Sequence, residues 1–238
     1  MKNQLNKNAE MSIIEHLEEL RSRLLIAIIG FITITLICFI YTKDISYILQ
    51  QPAFGVKFLQ LGPGEYLFAS MKVAIYSGFL ISSPFTIYQI LLFILPGLTP
   101  KETSFIIPII AFSIILFFVG IFFSYTILIP SALQFLIQYG SDVVEPIWSF
   151  GEYFNFVILL LFSTGLAFQI PIIQVVLGIS NIVSTATMLA YWKYIVFIST
   201  IIGAILTPST DPITQILMSL AIFLLYLSGI IILKVLNK

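Results

Sequence analysis

Six long apolar stretches with almost no charged residues determine what this chain can fold into. A transmembrane helix needs about 20 consecutive, mostly apolar residues. Only 9% of the residues are charged and 59% are hydrophobic, whereas a soluble domain carries about 25% charged residues. The sequence therefore predicts an all-α membrane protein, a single transmembrane domain over residues 1–238 that forms a bundle of six transmembrane helices. The predicted helices span residues 24–41, 73–95, 105–129, 154–177, 192–206 and 213–233.

The last two predicted helices differ from the others in how they are connected. Only residues 207–212 separate them, so they must form an antiparallel hairpin. The fifth helix has 15 residues and a length of about 22 Å, which is less than a hydrocarbon core of about 30 Å. We therefore expect the fifth helix to thin the bilayer or to pack against a partner, and we expect helices five and six to be short.

The positions of lysine and arginine predict the orientation, because positive charge is retained on the cytoplasmic or equivalent face. Eight of the 11 basic residues lie in the N-terminus, the second and fourth loops and the C-terminus, and three lie in the first loop. Both termini are therefore predicted to be inside. The two long loops, 42–72 and 130–153, then lie outside, and their aromatic, proline and glycine residues indicate a structured outer cap.

An amphipathic segment, residues 11–23, precedes the first predicted span. Ser12 and Glu15 have the spacing of a capping box, so we expect the helix to begin there and to run at the inner surface. Ile13, Leu17 and Leu20 fall on one face of that helix, away from its acidic residues. The acids either pair with Arg21 and Arg23, which is a weak surface effect, or bind a cationic ligand.

A second acid, Glu102, lies in the next inner loop. If the two inner segments lie side by side, Glu19 and Glu102 can converge on a guanidinium group, which binds carboxylates in a bidentate manner. The alternative is purely structural: Glu102 stands at the start of the third helix, where the helix dipole favours an acid.

Polar residues within the later helices have structural and functional interpretations. Gln169 lies near the middle of the fourth helix, so its amide needs a partner in protein or water. Pro171 and Pro84 are expected to kink their helices. Asp211, followed by Pro212, is a candidate N-cap for the sixth helix.

Motifs for catalysis and for cofactor binding are missing from the sequence. It has one histidine and one cysteine, Cys38, so we predict no metal site and no cofactor. It also lacks a nucleophile triad and a phosphate-binding loop, so an intramembrane enzyme is a poor alternative. A transporter or channel is the other alternative class, but the predicted spans lack the intramembrane acids and bases that such proteins use.

Four segments together resemble the TatC family, the multispanning core of the twin-arginine protein translocase, over about residues 11–234. The resemblance implies a protein of Sec-independent translocation that is not an enzyme. The matching segments are HLEELRSRL at 16–24, FILPGLTPKE at 93–102, FQIP at 168–171, and LTP at 206–208 with Asp211 and Gln215.

The resemblance also implies roles for individual residues. Glu19 and Glu102 match acids that bind the arginine pair of the signal peptide on a folded precursor, and Arg21 and Phe93 match their neighbours. A second group matches positions for docking of single-span TatA/TatB-type subunits or for a working translocase. This group consists of Pro52, Gln169, Thr207, Asp211 and Gln215. The resemblance also implies a homo-oligomer within the receptor complex. It implies no binding of nucleic acid.

The chain departs from the family at one position, where Gln169 stands in place of the usual glutamate. An amide can still form hydrogen bonds, but it cannot change its charge. The composition and the LPGLTPKE segment are similar to cyanobacterial and plastid-encoded members. The expected location is therefore the plastid thylakoid membrane, with a bacterial inner membrane as the alternative.

Overall fold

The computed structural model describes residues 13–53, 55–94, 100–140, 145, 147–180, 182–207 and 211–236. Within them, five helices are long and apolar enough to cross a membrane, and a sixth apolar helix has 15 residues. The helices are α1 (Ile13–Ile40), α2 (Thr42–Gln50), α3 (Glu65–Ile94), α4 (Pro100–Phe123), α5 (Ile129–Gly140), α6 (Phe150–Ala167), α7 (Ile170–Ile179), α8 (Thr185–Ala190), α9 (Trp192–Leu206) and α10 (Pro212–Val235). The strands are β1 (Lys57–Leu59) and β2 (Ile147–Ser149).

The first helix includes the amphipathic segment and the first apolar stretch without a break. Its described part begins at Ile13, and Ser12 lies outside the described residues, so the start predicted from the capping box stays a prediction. Helix α1 packs mainly along α3. Only 6% of its apolar window is buried, so most of its surface is available to lipid.

Helix α3 begins at Glu65, eight residues before the predicted start. The prediction failed because Lys72 and the polar residues before it interrupt the apolar pattern. The helix continues through Pro84 to Ile94, so this proline does not end the helix, and the kink expected there stays a prediction. Three hydroxyls near Pro84 donate to backbone carbonyls of the preceding turn: those of Ser82, Ser83 and Thr86.

The third predicted span is longer at both ends than the sequence indicated. Helix α4 begins at Pro100 rather than at 105, so Pro108 lies inside the helix and not in its first turn. Beyond Phe123 a π-helical turn, Ser124–Leu128, leads directly into α5. Pro130 has no N–H to donate to the preceding turn, and a widened turn is a common response to such a loss.

The fourth predicted span is divided into α6 and α7 by a turn at Phe168 and Gln169. Pro171 lies in the first turn of α7, where its missing N–H costs little. The kink expected at Pro171 is therefore present as a break between two helices. Over the combined span 56% of the apolar window is buried, and fully buried residues of α6 such as Phe154, Val157 and Leu160 form the centre of the core.

Helices α9 and α10 agree closely with their predicted bounds, but only the first is short. Helix α9 has 15 residues, whereas α10 has 24. At about 1.5 Å per residue, α10 is about 36 Å long and exceeds a hydrocarbon core of about 30 Å. The expectation of a short sixth helix is therefore wrong.

The two long connections fold together at one end of the bundle, and we call residues 42–64 with 147–149 the loop layer. Strands β1 and β2 pair in parallel there. Tyr153 donates from its hydroxyl to the carbonyl of Leu49 over 2.6 Å. The carboxylate of Glu65 accepts from the Ser149 hydroxyl and, over 2.9 Å, from the Gly151 N–H. These contacts join segments that are more than 80 residues apart in sequence.

Candidate functional site

The candidate site lies at the opposite end of the bundle from the loop layer, where α1 begins and α3 ends. The two helices run antiparallel, so the first turns of α1 contact the last turns of α3. The ring of His16 stacks on Phe93 with 4.4 Å between the centroids. Phe93 was expected at this site from the family resemblance, whereas His16 had been assigned no role of its own.

Glu19 lies about one helical turn after His16 on α1. Its Oε1 accepts from Arg23 Nη2 over 3.3 Å, one helical turn away. Its Oε2 is buried and has no hydrogen-bond partner among the described residues. A buried polar atom without a partner usually costs about 1–3 kcal/mol. Glu19 can therefore accept a further donor at low cost.

Arg23 connects the acid to α3. Its Nη1 lies 3.5 Å from Gln89 Oε1, at the limit of a hydrogen bond. The side chain thus spans Glu19 and Gln89, and the pairing with Glu19 agrees with the i+4 interpretation made from the sequence. Arg21 is exposed on another face of α1. Gln89 was not predicted as a site residue. A signal for it was present, because Gln89, like Gln169, is an amide in an otherwise apolar run.

An apolar groove continues from this cluster along α1 and α3. Its volume is about 340 Å³. The residues that line it are Leu20, Arg23, Leu24, Ala27, Thr86, Gln89, Ile90 and Phe93. The site therefore combines a carboxylate with a spare acceptor, an aromatic surface and an apolar channel, which together suit a cationic ligand with apolar residues beside the charge.

Glu102 lies in the first turn of α4, which agrees with the structural alternative and not with a position in the inner loop. Its side chain falls outside the described residues, so its convergence with Glu19 stays a prediction. The residues 95–99, which connect α3 to α4 and complete the matching segment, also lie outside them.

Gln169 bonds within the chain. Its Oε1 accepts from the Ser113 hydroxyl over 2.6 Å, and its Nε2 donates to the Ser113 carbonyl over 3.1 Å. Ser113 belongs to α4, so this amide joins the α6–α7 break to another helix. The structural interpretation of Gln169 as an interhelical contact is confirmed.

The polar residues of the α9–α10 hairpin lie together. Asp211 is the N-cap of α10, as predicted, because its Oδ1 accepts from the Thr214 N–H over 2.7 Å. Thr207 is buried and donates to the carbonyl of Gly203 over 2.9 Å. The Gln215 amide lies 3.5 Å from the Thr200 carbonyl. Pro52 lies in a 3-10 turn of the loop layer, Gln51–Ala53.

Several long apolar helices joined by folded connections define a polytopic helical membrane protein. A family model of the Sec-independent protein translocase proteins (TatC) matches residues 15–220. The chain therefore belongs to the TatC family.

Similar proteins agree with this assignment along nearly the whole chain. A tatC-like protein, ycf43, of Gracilaria tenuistipitata var. liui is 71% identical over 100% of both chains. The Sec-independent protein translocase protein TatC of Synechocystis is 52% identical over 97% of this chain and 91% of that protein. The chloroplastic TATC of Oryza sativa subsp. japonica is 48% identical over 94% of this chain and 63% of the rice protein. These relatives place the chain among members of cyanobacterial and plastid type.

The fold agrees with a crystal structure described as the twin-arginine translocase receptor TatC. The two share 36% sequence identity and superpose with a TM-score of 0.80 over 94% of this chain and 100% of the other.

Proposed function

We propose that this chain is the receptor subunit of a twin-arginine translocase and binds the signal peptides of folded precursor proteins. The observation that carries the proposal is the Glu19 carboxylate, which holds one oxygen against Arg23 and leaves the other buried and without a partner among the described residues. A guanidinium group of the signal peptide supplies the missing donor. Glu102, in the first turn of α4, supplies the second carboxylate for the arginine pair.

The proposed topology has six membrane spans, with both termini on the stromal or cytoplasmic side. The basic residues counted in the sequence support it, and so does the position of Glu19 at the end of the bundle opposite the loop layer. The host membrane is the plastid thylakoid membrane, with the bacterial inner membrane as the alternative, since relatives come from chloroplasts and cyanobacteria.

Helices α9 and α10 are the proposed docking edge for single-span TatA/TatB-type subunits. Helix α9 is too short for a full hydrocarbon core, and the hairpin holds Thr207, Asp211 and Gln215 at one end. The chain acts by binding and assembly rather than by catalysis, and it forms homo-oligomers within the receptor complex. Pro52 and Gln169 maintain the fold that this assembly needs.

Site-specific photo-crosslinking tests the receptor proposal. A photoreactive residue at Leu20, beside Glu19, should capture a precursor with an Arg-Arg signal and should lose it when the pair becomes Lys-Lys. Glu19→Gln should reduce the capture roughly tenfold, because charge-assisted hydrogen bonds contribute about 1.5–3 kcal/mol. Glu18→Gln is the matched control, since Glu18 is exposed on the same helix, and it should leave the capture unchanged. Equal capture of the Arg-Arg and Lys-Lys precursors would refute the proposal.

A further inference from the structure

A second groove lies between α3 and α6, near the loop layer, and a lysine stands at its rim. The groove has a volume of about 230 Å³ and is lined by Tyr76, Asn155, Ile158, Leu159 and Phe162. The Lys72 ammonium donates to Asn155 Oδ1 over 3.0 Å. This bond holds the cation at the mouth of a mainly apolar channel.

Lys72 lies within α3, below the start of the helix. Lys72 comes seven residues after the start of α3, and Asn155 comes five residues after the start of α6. At 1.5 Å per residue, these positions are about 10 Å and about 8 Å from the helix ends. A headgroup region on each side adds about 5–8 Å to the hydrocarbon core. Lys72 therefore stands near the depth at which lipid headgroups meet their acyl chains, where lysine side chains extend toward the interface.

The groove beside the lysine is mainly apolar. Asn155, Leu159 and Phe162 follow one another on the face of α6 that meets α3. The ring of Phe162 lies 5.2 Å from that of Phe79, centroid to centroid, and so connects α6 to α3. Leu159 and Tyr76 are about half exposed, so the groove opens sideways, where lipids surround the bundle.

The charges around the groove leave Lys72 available to an anion. Two acids lie near the starts of the same two helices, Glu65 and Glu152. Glu65 already accepts from the Ser149 hydroxyl and the Gly151 N–H, and Glu152 lies one turn nearer the start of α6 than Asn155. The described part of the chain contains no ion pair of Lys72 with either acid.

We propose that this groove binds an anionic membrane lipid. The phosphate or sulfonate of its headgroup contacts the Lys72 ammonium, and one acyl chain lies over Tyr76, Leu159 and Phe162. This inference is independent of signal-peptide binding, because the groove is at the other end of the bundle from Glu19.

Native mass spectrometry of the purified full-length chain in detergent tests the proposal. The probes are phosphatidylglycerol and phosphatidylcholine with identical acyl chains. We expect about fivefold tighter binding of phosphatidylglycerol, because one lysine near an anionic headgroup contributes about that factor. Lys72→Gln should abolish this preference and Lys72→Arg should retain it. Lys57→Gln, which removes a lysine of the loop layer, should leave it unchanged.

A second variant and a second probe distinguish a lipid site from a simple anion site. Leu159→Trp fills the groove and should weaken the binding of both lipids while Lys72 remains. Glycerophosphoglycerol, the headgroup without acyl chains, should not compete at lipid concentrations. Equal binding of the two lipids, an unchanged preference in Lys72→Gln, or full competition by the free headgroup would overturn the proposal.

Discussion

Gln169 obtains its partner from a distant part of the sequence. Its amide exchanges two hydrogen bonds with Ser113, 56 residues away and buried in α4. A carboxylate at this position could still accept from the Ser113 hydroxyl, but it could not donate to the Ser113 carbonyl. The amide therefore supports a contact between helices without placing a charge in the bundle.

We predict that replacing this one side chain, Gln169→Leu, lowers the free energy of unfolding by about 1 kcal/mol, a usual value for a hydrogen bond between membrane helices. Denaturant titration in detergent measures the change. Gln169→Glu should have a smaller effect because it keeps one of the two bonds.

A double-mutant cycle with Ser113→Ala provides the control for this prediction. If the two side chains stabilise each other, the effects of Gln169→Leu and Ser113→Ala should not add. Strictly additive losses would show that the bond from the Ser113 hydroxyl to Gln169 Oε1 contributes nothing, because Ser113→Ala keeps the backbone carbonyl that accepts from Gln169 Nε2.

At the scale of the elements, the seam between α7 and α10 depends on small residues. A Cβ at Gly178 would collide with the Leu233 side chain, which is fully buried. A Cβ at Gly229 would collide with Gln174 in the same seam. Glycine at these positions lets the two helices approach closely, as small residues do between membrane helices.

We predict that Gly178→Ala lowers the midpoint of thermal unfolding in detergent, with a loss of about 1–3 kcal/mol from overpacking. Gly62→Ala is the control, because a Cβ there would meet no atom within 4 Å. Adding Leu233→Ala to Gly178→Ala makes room for the new methyl group, so the double variant should lose less stability than the two single effects together. A loss in Gly62→Ala as large as that in Gly178→Ala would contradict a specific role for the seam.

The bounds of the helices show where the local sequence pattern is enough to predict where a helix begins and ends. For α9 and α10 the apolar run and the helix coincide, and Asp211 with Pro212 specifies the start of α10 by local chemistry. Helix α3 begins eight residues before its apolar run. Its first residue, Glu65, forms hydrogen bonds with Ser149 and Gly151. Because these partners are far away in the sequence, no local pattern predicts that the helix begins at this residue.

At the scale of the whole molecule, the proposed orientation places the loop layer outside and the Glu19 site inside. We predict that, in intact spheroplasts, a membrane-impermeant maleimide labels Leu61→Cys but not Ile182→Cys, each made in a Cys38→Ala background. Both replaced residues are exposed, at opposite ends of the bundle. Permeabilisation should make Ile182→Cys reactive, and the reverse labelling pattern would disprove the orientation.

The sequence by itself determined that this protein is a helical membrane protein and predicted its family, because long uncharged runs and short local motifs carry that information. It also indicated Glu19 and Phe93 as neighbours in function. The tertiary structure decided that Glu19 has a spare buried oxygen, that Arg23 spans it and Gln89, and that Lys72 lies on a helix above a groove rather than in a loop. These features depend on which helices pack together, and that packing results from contacts between residues far apart in the chain.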